Sequence, residues 1–271
     1  MHSEINIDLP KITMAVKKVA LRAGEFIKRE RLNFDSARIE HKGHSSNLVS
    51  YVDKEAEKII VSGLMDLVPD AGFVTEEGTV SQHTTEKYCW LIDPLDGTTN
   101  FLHNVPIYCT SIALAQGHEV ILGVVYDMNR DECFYAWQGG GAWCNDTKIQ
   151  CSAPHQMKEA LIATGFPYIK FEKYQNYMDV LEGLMKSSHG LRRCGSAAID
   201  ICWVAAGRFD GYFEYDINAY DIAAGCIILQ ESGGRVSDFK GNNEYLYGKN
   251  IIASSHSIHS DFVQLVSSCW F

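Results

Sequence analysis

The 271-residue chain has no apolar run near the roughly 20 residues that a membrane-spanning helix needs. Between Met1 and Lys11 there is no basic start followed by an apolar stretch, so no secretory leader is expected. Cations are also scarce: 24 Lys and Arg stand against 34 Asp and Glu, a formal net charge of −10. That balance disfavours a broad nucleic-acid surface, whose phosphates would be repelled. A phosphate can still be bound where a metal ion or a helix N-terminus supplies positive charge. The nine cysteines include no Cys-x-x-Cys pair and are odd in number and scattered, as reduced thiols in a cytosolic protein would be. Cys194, just ahead of Gly195-Ser196, is a conceivable nucleophile, but no activating environment is evident and plain core thiols are the expectation. The composition, 46% hydrophobic and 21% charged, is that of an ordinary globular protein. A soluble, cytoplasmic enzyme or binding domain is expected.

What is present begins with helical periodicity. Ile12, Val16, Val19, Ala20, Ala23, Phe26 and Ile27 predict a helix from Ile12 to about Arg31, with Pro10 just ahead of it. A second helix is predicted from about Val52 to Met65, with Asp53 in its first turn. The polar stretch Glu40 to Ser50 between them reads as a mobile loop. From Phe73 onward, short apolar runs separated by Gly117-His118 and Asn129-Arg130-Asp131 predict an antiparallel meander closed by Gly139-Gly140-Gly141. After Ala160, strands at Leu161 to Thr164 and Gly211 to Tyr215 alternate with helices near Tyr174 to Met185, Ser196 to Ala206 and Ala219 to Glu231. A C-terminal helix follows from about Ser260. Layers of an α/β (α+β) protein are implied. Residues 1–271 read as a single unit with a soft internal division near Cys151 to Met157, the N-terminal half before it and the C-terminal half after it.

The chemistry concentrates at Asp93-Pro94-Leu95-Asp96-Gly97-Thr98-Thr99-Asn100. A strand from Tyr88 to Ile92 running into this segment would deliver two carboxylates from a sharp turn into one space, an arrangement that is costly without a cation between them. Taken alone the segment could be a plain surface turn. A calcium loop is disfavoured because Phe101-Leu102 arrives too soon. The covalent phosphatase pattern Asp-x-Asp-x-Thr is disfavoured because two residues separate the aspartates. Glu76 alone would be a solvated acid, and Asp221 alone a helix-capping one.

Four elements taken in order resemble the inositol monophosphatase family of lithium-sensitive, magnesium-dependent phosphatases. They are Lys42 through Asn47-Leu-Val-Ser-Tyr-Val-Asp53, then Phe73-Val-Thr-Glu76-Glu77, then Trp90 through Phe101, and finally Asp221-Ile-Ala-Ala-Gly225 with Glu231-Ser-Gly233-Gly234. The resemblance implies a layered αβαβα sandwich, commonly a homodimer. It also implies two or three Mg2+ ions. Glu76, Asp93 and the Leu95 carbonyl would hold one, and Asp93, Asp96 and Asp221 a second, with Glu76 the contact for a weaker third. Thr98, paired with Asp53 or Glu76, would take or orient the proton of a metal-activated water, and the Gly97 and Thr98 N–H groups would grip phosphate. Gly195, Ser196, Ala197 and Glu214 would contact the alcohol, with Asp96 and Asp221 serving both metal and substrate. Gly195-Ser196 also reads as an ordinary helix cap. Tyr220 stands where the family usually has tryptophan, and Asn47 where it usually has aspartate, which removes one carboxylate from the loop associated with the third ion. Ala163-Thr-Gly-Phe-Pro167 resembles bacterial members.

The implied activity is hydrolysis of myo-inositol 1-phosphate or a related sugar or polyol monophosphate without a phospho-enzyme. One alternative is fructose-1,6-bisphosphate or a nucleotide bisphosphate, with Lys170, Lys173, Arg192 and Arg193 as candidates for the second phosphate. Another is a protein-binding role in transcription that does not depend on hydrolysis; direct RNA contact is disfavoured by the charge.

Overall fold

The computed structural model describes residues 7–34, 39–41, 48–83, 87–167 and 171–271. Lys42, Asn47 and Lys170 lie outside the described residues. Helix α1 (Leu9–Leu32) begins with Asp8 accepting from the Lys11 amide at 3.1 Å, and buries Val16, Val19, Ala20, Ala23 and Ile27 along one stripe. Strands β1 (Ile39–His41) and β2 (Leu48–Ser50) pair antiparallel, so the stretch expected to be a loop is flanked by a two-stranded ribbon. Helix α2 (Tyr51–Leu64) follows directly.

The meander is present but longer than expected. Strands β3 (Gly72–Thr75) and β4 (Cys89–Asp96) lead to the short helix α3 (Thr98–Leu102). The chain continues through β5 (Cys109–Gln116), β6 (Glu119–Asp127), β7 (Glu132–Trp137), β8 (Gly141–Cys144) and β9 (Thr147–Lys148), forming a seven-stranded sheet in that sequential order. The glycine run therefore turns the chain into β8 and does not close the sheet. The β3–β4 pair is parallel, which hydrophobic patterning could not reveal, because alternation reports faces and not direction.

The second half supplies β10 (Leu161–Thr164), α4 (Tyr174–Ser187), β11 (Gly190–Arg192), α5 (Ala197–Ala205), β12 (Gly211–Tyr215), α6 (Ala219–Glu231), β13 (Arg235–Ser237), β14 (Asn250–Ser254) and α7 (His259–Trp270). Its five strands form a mixed sheet in the order β11-β10-β12-β14-β13. Three apolar clusters give the layering. The first joins α1 and α2 to one face of the large sheet, the second puts α5 and α6 between the two sheets, and the third joins α4 and α7 to the outer face of the small sheet. The result is the αβαβα sandwich.

Sheet alternation explains how β4 serves two layers. Trp90 and Ile92 enter the α1–α2 cluster, and Cys89 and Leu91 the α5–α6 cluster. Helix α6 approaches the sheet closely at Gly123 of β6, where an added Cβ would lie 2.7 Å from the Ala224 Cα and 2.8 Å from the Ala224 carbonyl oxygen. These are backbone atoms that cannot swing aside. A Gly123→Ala variant is therefore expected to lose about 1–3 kcal/mol in urea denaturation, as overpacked cores do. Wild-type stability in that variant would show that α6 is not seated on the sheet as described.

Candidate active site

The motif segment is the bulged end of β4, not a turn after it. Asp93 pairs with Ser111 and Asp96 with Cys109, so three residue steps on β4 match two on β5. In an unbroken strand, residues three apart point to opposite faces. The extra residue cancels that inversion and brings Asp93 and Asp96 onto the α5–α6 side, while Leu95 enters the α1–α2 cluster. Pro94 occupies the bulge, where a missing N–H costs no ladder bond. The Leu95 amide donates to Asp93 Oδ1 at 2.9 Å, which fixes that carboxylate. Gly97 then turns the chain at φ 94°, and a Cβ there would meet the Ile107 carbonyl oxygen at 2.8 Å.

Four carboxylates from two elements and one loop face one another here. Burial, followed by the charges of Glu76, Asp96 and Asp221, holds Asp93 well above the usual carboxylate range; a hydrogen bond with Glu76 acts in the same direction. Asp221 is likewise raised by burial, then by Glu76 and Asp96, against the 2.8 Å hydrogen bond it accepts from the Asn218 amide in the capping box of α6. Glu76 follows β3, and its amide donates to the Ile92 carbonyl at 3.1 Å, which ties it to the residue before Asp93. Asp96 is raised by burial but eased by donors at the start of α5: Ser196 Oγ at 2.7 Å and the Ala198 amide at 2.8 Å, with Arg193 beyond.

Such a set of hard oxygen donors, with Asp93 and Asp221 raised by their acidic neighbours, fits a divalent cation of the magnesium type. Among the described residues no three His, Cys, Asp or Glu side chains are already drawn into a group that could hold a metal ion.

Beside them, Thr98 Oγ1 donates to Asp53 Oδ1 at 2.9 Å and approaches the Leu95 carbonyl at 3.1 Å. Asp53 is fully buried on α2. Glu214 of β12 lies against Gly165 and accepts a hydrogen bond from the Tyr212 hydroxyl. Burial pushes its carboxyl up to about 7, with Tyr212 and Arg193 opposing. Gly195, at φ 96°, abuts Asn100, whose side chain donates to the Cys194 carbonyl at 2.8 Å and links the motif to the start of α5. Ser196 is the N-cap of α5 and a donor to Asp96, and Ala197 is the first residue of that helix.

The residues named from the sequence thus converge from both halves of the chain. Of the three described cations considered for a second phosphate, Arg193 acts on Asp96 and Glu214. Lys173 is committed to the Trp270 carbonyl at 3.0 Å, and Arg192 Nη1 reaches the Leu191 carbonyl at 2.9 Å. Cys194 is no activated nucleophile: burial, then Asp200, pushes its thiol up to about 12. Of the buried acids that sequence reasoning does not single out, two bear on this site. Asp200 of α5 lies beside Cys194, and its Oδ1 has no hydrogen-bond partner among the described residues. Glu57 of α2 is fully buried, and its signal was available: it follows Asp53 by one helical turn on the same face.

The inositol monophosphatase family model matches residues 8–270. An inositol-1-monophosphatase of Mesorhizobium japonicum is 34% identical over 249 residues, 92% of this chain and 93% of that protein. The Nus factor SuhB of Vibrio cholerae is 37% identical over 246 residues, 91% of each chain. The crystal structure of the extragenic suppressor protein suhB from Bartonella henselae superposes with a TM-score of 0.88 at 36% identity, over 94% of this chain and 98% of that one.

The Glu214 environment makes a signed prediction for the metal-free protein. Its folded pKa of about 7 exceeds the ordinary 4.5, so the folded state holds the proton longer and the carboxyl destabilises it increasingly as pH rises from about 4.5 through about 7. Glu214→Gln should therefore gain stability relative to wild type across that window in urea denaturation, and show no relative gain below it. A difference independent of pH would contradict the buried, raised carboxyl.

Proposed function

The chain belongs to the inositol monophosphatase family of phosphatases, and on that premise we propose that it is a magnesium-dependent phosphomonoesterase acting on myo-inositol 1-phosphate or a related sugar or polyol monophosphate. The observation that carries this reading is the convergence of Glu76, Asp93, Asp96 and Asp221 beside the Thr98–Asp53 hydrogen bond. Glu76, Asp93 and the Leu95 carbonyl would hold one ion and Asp93, Asp96 and Asp221 another, with Glu76 available to a third. Magnesium held there supplies positive charge to the phosphate and the leaving oxygen and acidifies a bound water.

The chain's own residues then divide the work. Asp53 accepts the hydrogen bond of the Thr98 hydroxyl, which leaves the lone pairs of Thr98 Oγ1 to orient the attacking water; as the water's proton moves to Oγ1, the Thr98 proton passes to Asp53. Gly97 and Thr98, at the start of α3, present backbone N–H groups that have no acceptor within the helix. With only five residues in α3, these groups act as local donors for phosphate oxygens and not through a large helix dipole. Glu214 with Gly195, Ser196 and Ala197 forms the side for the alcohol, where a carboxyl can accept from sugar hydroxyls. Ser196 serves that side indirectly, because its hydroxyl is spent on Asp96. Of the described cations considered for a second phosphate, Arg193 alone acts on this side, which supports a monophosphate better than a bisphosphate. A homodimer in the cytoplasm is part of the same reading, and among the described residues no helix is long and apolar enough to cross a membrane.

A second reading, contact with the transcription machinery independent of hydrolysis, is favoured by the name of the Vibrio cholerae relative. It predicts that a hydrolysis-dead variant still replaces wild type in cells.

Phosphate release from a panel of sugar, polyol and nucleotide phosphates, with and without magnesium, tests the first reading. Thr98→Val should lower kcat about 10²- to 10⁴-fold, the range of a lost general base. Asp93→Asn should lose more than the roughly 100-fold seen when a metal ligand's supporting partner is removed. Full magnesium-dependent turnover by Asp93→Asn would refute the metal assignment.

A further inference from the structure

Glu57 accepts four hydrogen bonds in a buried position: from Thr75 Oγ1 at 2.8 Å, the Glu77 amide at 2.8 Å, the Thr79 amide at 2.6 Å and Thr79 Oγ1 at 2.7 Å. Oε1 takes three of these bonds and Oε2 one, so the carboxylate is committed to this one turn. Its partners bracket Glu76 on both sides. Residue 75 is held by its side chain, residue 77 by its backbone, and the Glu76 amide itself is pinned to the Ile92 carbonyl at 3.1 Å. A second clasp tightens the same turn: the Gln82 side chain accepts from the Thr75 amide at 2.7 Å and donates to Thr75 Oγ1 at 3.0 Å.

Short bonds from N–H and O–H donors to a charged acceptor are the strong kind. Four of them converging on one side chain set the path of the five-residue segment Thr75–Thr79, which would otherwise be a surface turn. Helix α2 also carries Asp53, the partner of Thr98, one turn earlier on the same face. One rigid helix therefore fixes both the Glu76 turn and the Thr98 hydroxyl.

From this arrangement we propose that Glu57 is a positioning residue that aims Glu76 at the metal, acting through the Thr75–Thr79 turn without touching the ion. The inference rests on the metal reading of the site given above. The carboxylate charge is essential to the role. A glutamine would keep one acceptor oxygen and turn an N–H against the N–H and O–H donors that now converge there.

The test is magnesium binding by calorimetry in the absence of substrate, on wild type, Glu57→Gln, Glu76→Gln and the double variant. Glu57→Gln should weaken binding about 10- to 100-fold, the usual cost of losing a group that orients a metal ligand. Amide exchange at Glu77 and Thr79 should quicken in the metal-free protein. Because Glu57 acts through Glu76, the double variant should bind no more weakly than Glu76→Gln alone. Thr79→Ala, at an exposed position, keeps the test available if Glu57→Gln does not fold, and should weaken binding in the same direction by a few-fold. A Glu57→Gln or Thr79→Ala protein with unchanged magnesium affinity, whatever its melting temperature, overturns the proposal. So does an additive loss in the double variant. A wild type that binds no magnesium overturns the metal reading and this inference together, and is thereby distinguished from failure of the inference alone.

Discussion

Like-charge repulsion among buried carboxylates is the constraint around which this fold is arranged. Asp93 is only 2% exposed and faces Glu76, Asp96 and Asp221, a placement that burial and Coulomb repulsion both oppose. An arrangement of this kind persists only where the surroundings determine it and a gain elsewhere offsets it. Here each acid is held by the backbone. The bulge in β4 brings Asp93 and Asp96 to one face, the parallel β3–β4 pairing brings Glu76 alongside, and the capping box of α6 fixes Asp221. Asp96 in addition accepts from the first turn of α5, so the helix layer between the two sheets is fastened to the site by one of the site's own carboxylates.

The same layering explains how distant parts of the chain meet at one cleft. Helices α5 and α6 share a cluster with both sheets, and this puts Glu214 and Gly195 opposite the β4 motif although more than 90 residues separate them in sequence. Helix α2 closes the other side through Asp53 and Glu57. The site is thus supported by rigid elements on every described side, which suits chemistry that depends on positioning charges to within fractions of an ångström.

Much of this was legible in the sequence, for reasons that differ by residue. Helices α1 and α2 carry apolar stripes at helical spacing, and their ends fall close to where the stripes stop, whereas α6 is a continuous apolar run from Ile222 to Leu229. The motif acids were found because Asp-Pro-Leu-Asp-Gly-Thr is dense in functional oxygens. Three features were not legible. The bulge cannot be read from residue types, since Asp, Pro and Gly also make a plain turn. The direction of β3 against β4 depends on the crossover between them and leaves no mark on either strand. The spacing of Glu57 to Asp53, Val61 and Leu64 puts it on the buried face of α2, but the donors that meet it come from the Thr75–Thr79 turn and leave no mark on the helix. Ser196 was read both as a cap and as a contact for substrate. The structure adds its bond to Asp96, which ties the start of α5 to the end of β4 through a single hydroxyl.

The central claim is that these carboxylates form the seat of divalent cations. Anomalous diffraction from crystals soaked in manganese, a close substitute for magnesium in oxygen-ligand sites, tests it most directly. The account predicts peaks bounded by Asp93 together with Glu76, Asp96 and Asp221. Manganese bound only elsewhere, or none at this cleft in crystals of protein that still hydrolyses phosphate esters, would contradict it.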